Sequence, residues 1–201
     1  MIPKFKTAKE REAKEQKTKR FFGILVIAVL ALSVAAFALM SYSPPQEGEK
    51  YGKFSFTREV EGWQTQVNDY FLLTTYLPQE VESINHSGIF ILEDFQNVVY
   101  FVAKSESERK AANELDKVLL ALKKEITCLP KDANESACMN MSVKSCGDAS
   151  FIQKIVVFEE NEETNETSIE YRNNCLTVKG DSVNIIRATD KVIFLLFGII
   201  K

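Results

Sequence analysis

The stretch NVVYFVAKSESERKAANELDKVLLALKKEI, residues 97–126, decides the fold class. It opens with Asn97–Ala103, a nearly continuous apolar run of the kind found in a strand covered on both faces. Ser105-x-x-Glu108 then forms a capping box, in which the Ser and Glu side chains each satisfy a backbone N–H that the first helical turn leaves open. Ala111, Leu115, Val118, Leu119, Leu122 and Ile126 follow at steps of 4, 3, 1, 3 and 4, which predicts one apolar stripe on a helix over 105–126. A strand feeding a helix, inside a chain otherwise rich in strand patterns, gives an α+β class.

Upstream, Phe54/Phe56 and Trp63/Thr65/Val67 alternate with polar residues, Asn68-Asp69 is a turn dipeptide, and Tyr70–Thr75 is aromatic and β-branched. This predicts an antiparallel meander with strands at 53–57, 62–67 and 70–76 and Trp63 in the core. Pro78 opens a short turn or helix through Val81 and Ile84. Downstream, 127–150 holds three Cys and reads as a disulfide-pinned loop; strands are expected at 153–159, 168–172 and 175–179, with the acidic run 159–166 as an exposed turn. The expected whole is an N-terminal antiparallel meander, a mixed sheet and two packed helices. The second helix starts near Ser182. Its stripe Ile185, Ala188, Val192, Leu195, Leu196, Ile199 is widened by Ile193, Phe194 and Phe197, so it is either core, covered by sheet and loop, or an interaction face; core is the favoured reading. FVAKSESERKAANEL from Phe101 echoes VKGDSVNIIRATDKV from Val178, which reads as recurring strand-to-helix geometry in preference to duplication.

The chain has 201 residues, 26% charged and 45% hydrophobic, which excludes disorder for most of it. Its net charge of −3 hides an asymmetry: residues 1–20 carry +5, leaving −8 on the rest. Between lies FFGILVIAVLALSVAAFALM, residues 21–40, uncharged. Twenty helical residues rise about 30 Å, the thickness of a bilayer's hydrocarbon core. A cleaved signal peptide (with Ala36-Phe37-Ala38 as the cleavage site) and a buried soluble helix are the competing readings. The length of the apolar run and its basic flank favour an uncleaved signal anchor. The expected organisation is a basic cytoplasmic tail 1–20, a transmembrane anchor 21–41, a linker 42–52 stiffened by Pro44-Pro45, and an extracytoplasmic domain 53–201. The basic tail serves topology and attraction to anionic lipid heads; its interleaved Glu residues argue against nucleic acid.

Cys128, Cys138, Cys146 and Cys175 all lie beyond the apolar segment, an even number that reads as two disulfides in an oxidising compartment. Of the three pairings, Cys138–Cys146 with Cys128–Cys175 is preferred. Intervals of 10, 8 and 29 residues suit neither a metal site nor a redox pair. Sequons at Asn85, Asn134, Asn140 and Asn165 offer glycosylation acceptors.

Three features invite a chemical reading and are better explained otherwise. His86 has no orienting carboxylate or nucleophile in its neighbourhood and reads as a loop residue. Lys179-Gly180-Asp181-Ser182 lacks the spacing of a phosphate loop and reads as a turn and N-cap. The acidic turn lacks the alternating ligands and Gly of a calcium loop. The sequence therefore calls for no catalytic residue, cofactor or metal. Its partners are expected to be the bilayer, through 21–41, and another envelope protein.

The pattern YGKFSF…GWQTQV…YLPQEVESI with SIEYRNNCLTVKGDSVNIIRATDKVIFLLFGII resembles uncharacterised single-pass envelope proteins of small-genome archaea. The resemblance covers about two-thirds of the outer domain. It implies a surface-exposed α+β domain and no particular activity. A non-enzymatic binding or structural role in the envelope is the favoured expectation. The alternative is an envelope-tethered hydrolase using carboxylates, which carry no sequence signature.

Overall fold

The computed structural model describes residues 21–34, 48–161 and 166–201. The chain divides between Gln46 and Glu47 into two units. In the first, residues 21–34 form helix α1, with every residue exposed. Among the described residues no helix is long and apolar enough to cross a membrane. Residues 35–41 of the expected anchor, and the basic tail 1–20, lie outside the described residues.

The second unit is α+β, with two sheets and two main helices. Strands β1 (Gly48–Tyr51), β2 (Phe54–Glu59), β3 (Gly62–Val67) and β4 (Tyr70–Thr74) form an antiparallel sheet in sequential order. The meander is thus one strand longer than predicted. Residues 48–51, expected to be linker, pair with β2 in the register Gly48↔Thr57 to Tyr51↔Phe54. GEKY carries no strand alternation, so only the partner's free edge shows where it goes. Trp63 is half-buried against the core, under the Arg58 guanidinium.

Helix α2 (Pro78–Val81) leads to β5 (Asn85–Ser87), β6 (Val98–Val102), helix α3 (Glu106–Val118), β7 (Lys123–Thr127), β8 (Gln153–Glu160), β9 (Ser168–Arg172), β10 (Cys175–Gly180) and helix α4 (Asn184–Leu196). The second sheet has the order β5-β9-β10-β8-β6-β7. It is mixed: β9 and β10 are antiparallel, and the other neighbours are parallel. Asn173 and Asn174, at φ 51° and 65°, make the β9–β10 turn in the left-handed region that Asn tolerates.

The helix predicted over 105–126 is corrected. Its capping box forms as expected, with Ser105 Oγ accepting from Glu108 N at 3.1 Å and Glu108 Oε2 accepting from Ser105 N at 3.0 Å. The helix stops at Val118, because Leu119 turns extended. The Lys124 ammonium donates to the carbonyls of Asp116 and Leu119 and closes the helix end. Residues 123–127 then lie parallel along β6 as β7. The competing force is β6's otherwise unpaired backbone edge, which a helix running to 126 would leave open.

Alternation splits the mixed sheet cleanly. Val99, Phe101, Val156, Phe158, Leu176 and Val178 face the main core with the helices; Val102, Ile155, Val157 and Cys175 form a smaller cluster on the other face with Leu129 and Ala149 from the loop 128–150. The loop covers that second face. Its disulfides are Cys128–Cys138 and Cys146–Cys175, with Cα–Cα distances of 5.9 and 5.3 Å. Two disulfides form, but the preferred pairing is wrong. Cys138 sits just after a loop turn that folds it back on Cys128 at the end of β7, and Cys175 presents its thiol on the loop-covered face of β10, where Cys146 arrives.

Helix α4 is core. Ile185, Ile186, Ala188, Val192, Ile193, Phe194 and Leu196 are all buried, as are Ile199 and Ile200 beyond its end. The covering is not the expected sheet and loop. On one side it is the mixed sheet, on the other the meander, whose Phe56 and Tyr70 meet Phe194 and Phe197 edge-on at 5.9 and 5.2 Å. The helix ends in a Schellman motif: Gly198, at φ 64°, donates to the carbonyl of Leu195, and Ile199 to that of Phe194. The two echoing segments are β6–α3 and β10–α4, which stand on either side of β8, with their helices packed together.

Deleting residues 192–201 removes Val192, Ile193, Phe194, Leu196, Ile199 and Ile200 from the core. At roughly 1.5–3 kcal/mol per buried side chain this exceeds a typical folding margin of about 5–15 kcal/mol, so the truncated chain should show no cooperative thermal transition. Non-reducing peptide mapping should recover the 128–138 and 146–175 crosslinks. Replacing both members of the 146–175 pair by Ser should cost more than replacing the 128–138 pair, roughly 3.5 against roughly 2.5 kcal/mol by loop entropy, read from denaturant midpoints.

Candidate functional site

Two places have the position and composition of a site. The first is the cleft at the carboxyl ends of β6, β8 and β10, where open sheets with parallel strands usually take ligands. It encloses about 220 Å³ between Lys104, Glu108, Asp132, Glu160 and Lys179. Every one of these charges is already engaged. The buried Glu108 carboxylate accepts from the backbone N–H groups of Lys104 (2.7 Å), Ser105 (3.0 Å) and Glu160 (2.9 Å). Ser107 donates to Glu160 Oε2 at 2.6 Å. Lys104 bridges Asp132 and Glu135 at 3.2 and 3.1 Å, and Lys179 pairs with Glu159 at 2.9 Å. The seat that an anion would take at the start of α3 is filled by the chain's own carboxylate.

The second place is a groove of about 1000 Å³ between α3 and the end of β4. Glu106, Lys110, Glu114 and Lys117 of α3 form one wall, and Leu73, Thr74 and Thr75 contribute to the other. Behind Glu114, on α4, lies Asp190, fully buried. Its Oδ2 accepts from the Tyr76 N–H at 2.8 Å, while its Oδ1 has no hydrogen-bond partner. Glu114 is the mirror of this: Oε1 accepts from the Thr75 hydroxyl at 3.4 Å, and buried Oε2 has no partner. Burial first, and then the nearby Glu114 carboxyl, push the Asp190 pKa well above the usual carboxylate range. The N–H groups of Tyr76 and Thr75 pull the other way, and Glu80 of α2 adds to the rise. Burial also raises Glu114, against the pull of Lys110 and Lys117. Two carboxyls in one poorly solvated place cannot both ionise cheaply, so the pair retains a proton at pH values where an exposed pair has lost it.

The residues singled out from sequence are scattered. His86 is not in a loop but on the edge strand β5, exposed and paired in register with Ile169; burial and the Lys191 ammonium hold its pKa below the ordinary value. Asn85, Asn134 and Asn140 are exposed; Asn165 lies outside the described residues. Glu159 and Glu160 belong to β8 and not to a turn, and 162–165 of that acidic run lie outside the described residues. The cap at the start of α4 is Asp181, not Ser182: Asp181 Oδ1 accepts from the N–H groups of Val183 (2.9 Å) and Asn184 (2.8 Å). Gly180 lies so close beneath this turn that a Cβ would come 2.9 Å from Ile185 N. Among the described residues no three His, Cys, Asp or Glu side chains converge to hold a metal ion.

Sequence reasoning missed Glu114 and Asp190. The available signal was Asp190-Lys191 inside the wide apolar stripe of the last helix, where a charge has to find a buried partner.

The chain matches no protein-family model, and no curated protein or solved structure is similar to it.

The carboxyl pair gives a pH signature. A carboxyl whose folded pKa is raised stabilises the fold fully below its unfolded value, about 3.9, and loses that contribution as pH climbs through the folded value. Asp190→Asn, whose amide can donate where the carboxylate cannot, should raise the melting temperature at neutral pH, by the equivalent of about 1–3 kcal/mol. It should also flatten the decline in stability between mildly acidic and neutral pH. Thermal unfolding of both proteins across that range checks it. A variant less stable than the parent at pH 7 would mean that Asp190 is ionised and favourably paired there.

Proposed function

We propose that this chain is a single-pass membrane protein whose outer domain has a non-enzymatic binding or structural role in the cell envelope. One observation carries the anchor. Helix α1 is apolar around its whole circumference, and Phe21, Phe22, Ile24, Ile27, Leu30 and Leu32 are all exposed. A helix apolar on every side needs an apolar surrounding, and it belongs to an uncharged run of 20 residues. The basic segment before it supports an inside N-terminus, with residues 43–201 outside. The two disulfides support an oxidising compartment for the domain. An outer face of an archaeal envelope, as the sequence resemblance implies, suits these features.

The non-enzymatic reading rests on the two candidate places. The cleft at the strand ends engages Glu108 with backbone N–H groups and Lys104, Asp132 and Lys179 in ion pairs, and of the carboxyl pair only Glu114 borders the groove. The tethered-hydrolase reading has in its favour the raised pKa of Glu114, as a general acid requires. Hydrolysis by carboxylates, however, uses two groups that flank the bond being broken, and Asp190 is sealed from anything in the groove.

Protease applied to intact cells should degrade the 43–201 region and leave an N-terminal tag untouched. Digestion of the tag, with the domain protected, would reverse the topology. Crosslinking in the native membrane, followed by mass spectrometry, should recover an envelope protein bound to the domain.

A further inference from the structure

The parallel strands β6, β7 and β8 begin side by side. Val98 N donates to the Ile152 carbonyl at 3.3 Å, Leu122 N to that of Gln96 at 2.9 Å, and Lys123 N to that of Asn97 at 3.2 Å. Val98 is in register with both Lys123 and Gln153. This brings the residues just before β7 and β8 to one edge of the domain, about two strand spacings or 10 Å apart. Those residues are apolar and face outward: Leu120 is 63% exposed, Leu122 87%, Phe151 80% and Ile152 66%.

Phe151 and Ile152 are also in the wrong place for a water-facing turn. Ser150 and Gln153 exchange both backbone hydrogen bonds, at 2.8 and 3.2 Å, so Phe151-Ile152 are the two central residues of a tight turn. Such positions normally take Gly, Asn, Asp or Pro. An aromatic and a β-branched side chain there gain nothing from the turn itself and project large apolar surface from its tip. The charged residues beside them are mixed: Lys117 and Lys123 are exposed, Lys123 pairs with Glu125 and Lys124 with Asp116, each at 3.0 Å, and Lys154 is buried. The Lys154 ammonium lies 5.4 Å from the Phe151 ring centre.

Resting on the anchor reading above, we propose that this edge seats the domain on the lipid surface, with Phe151, Ile152, Leu120 and Leu122 in the headgroup–acyl boundary and the exposed Lys117 and Lys123 at the headgroup level. Three features select lipid as the occupant. Residues 42–47 reach at most about 22 Å, so an anchored domain works next to the bilayer. Four large apolar side chains, one of them aromatic, exposed together at one edge are the composition of an interfacial contact. Lysine stems can bury along the apolar rim while their heads stay with the phosphates.

The test uses the full chain in vesicles of phosphatidylcholine with phosphatidylglycerol, carrying Phe151→Trp or Leu122→Trp, with the signal of Trp63 in the parent chain subtracted. Lipids brominated near the headgroup end of their acyl chains should quench each new indole roughly twofold, as expected for a side chain about 5–10 Å deep, and aqueous iodide should not. Quenching by iodide but not by bromolipid overturns the proposal. So does protection from both quenchers that disappears when the protein is diluted in the bilayer, since a second copy then covers the edge. Alkaline carbonate extraction tests the anchor separately. If the chain is released, the same variants are added to vesicles from solution, where bromolipid quenching still supports the edge as a lipid contact and its absence overturns it.

Discussion

Helix α4 leaves almost no side to water, and most of the domain is arranged to close around it. Its residues run from the mixed sheet on one side to the meander on the other, with α2 and α3 on its flanks. A helix this apolar has no stable position at a surface, so it requires two sheets and not one. The meander is the device that supplies the second cover. Phe56, Val67 and Leu72 point inward from its strands, while Phe71 and Leu73 face out.

Enclosure on almost every side has a consequence for the polar residues that α4 carries. Arg187, Asp190 and Lys191 all turn toward the segment between β4 and β5 that holds α2. Arg187 donates to the Glu80 carbonyl, Asp190 accepts from the Tyr76 N–H, and Lys191 donates to the carbonyls of Glu82 and Ile84. Backbone that belongs to neither sheet must still satisfy its donors and acceptors when it is packed inside. These three side chains do that at Tyr76, Glu80, Glu82 and Ile84. The carboxyl pair is what remains unbalanced: Asp190 serves the Tyr76 N–H with one oxygen and Glu114 takes the Thr75 hydroxyl with one, and each leaves its other oxygen buried without a donor. It links a packing solution to a titration, because Glu114 stands on α3 and Asp190 on α4.

The far face of the mixed sheet is covered by different means. Loop 128–150 has little regular structure and few large apolar side chains, so burial alone holds it weakly. The crosslink from Cys146 to Cys175 fastens it to β10, and the crosslink from Cys128 to Cys138 fixes its own fold. Arg109 of α3 reaches across to the Ala137 carbonyl at 2.8 Å and adds a polar tie. Covalent closure here replaces the hydrophobic contact that α4 supplies on the other face.

Local pattern alone determined much of this protein. The uncharged 20-residue run, the even Cys count, the capping box at Ser105, the apolar strand at 97–103 and the wide stripe of the last helix were each legible, because each is written in residues near one another in the chain. Tertiary structure decided the rest. KKEIT became β7 instead of a helix end, and GEKY became β1 instead of linker, because each pairs with the open edge of a strand whose position the sequence does not state. The disulfide pairing depended on which face of β10 the loop covers. The meeting of Glu114 with Asp190 depended on the packing of α3 against α4, between residues 76 apart in sequence. Periodicity reports which face of an element is apolar, but it carries no information about what will cover that face. The covering elements, once packed, determine which charges are left together.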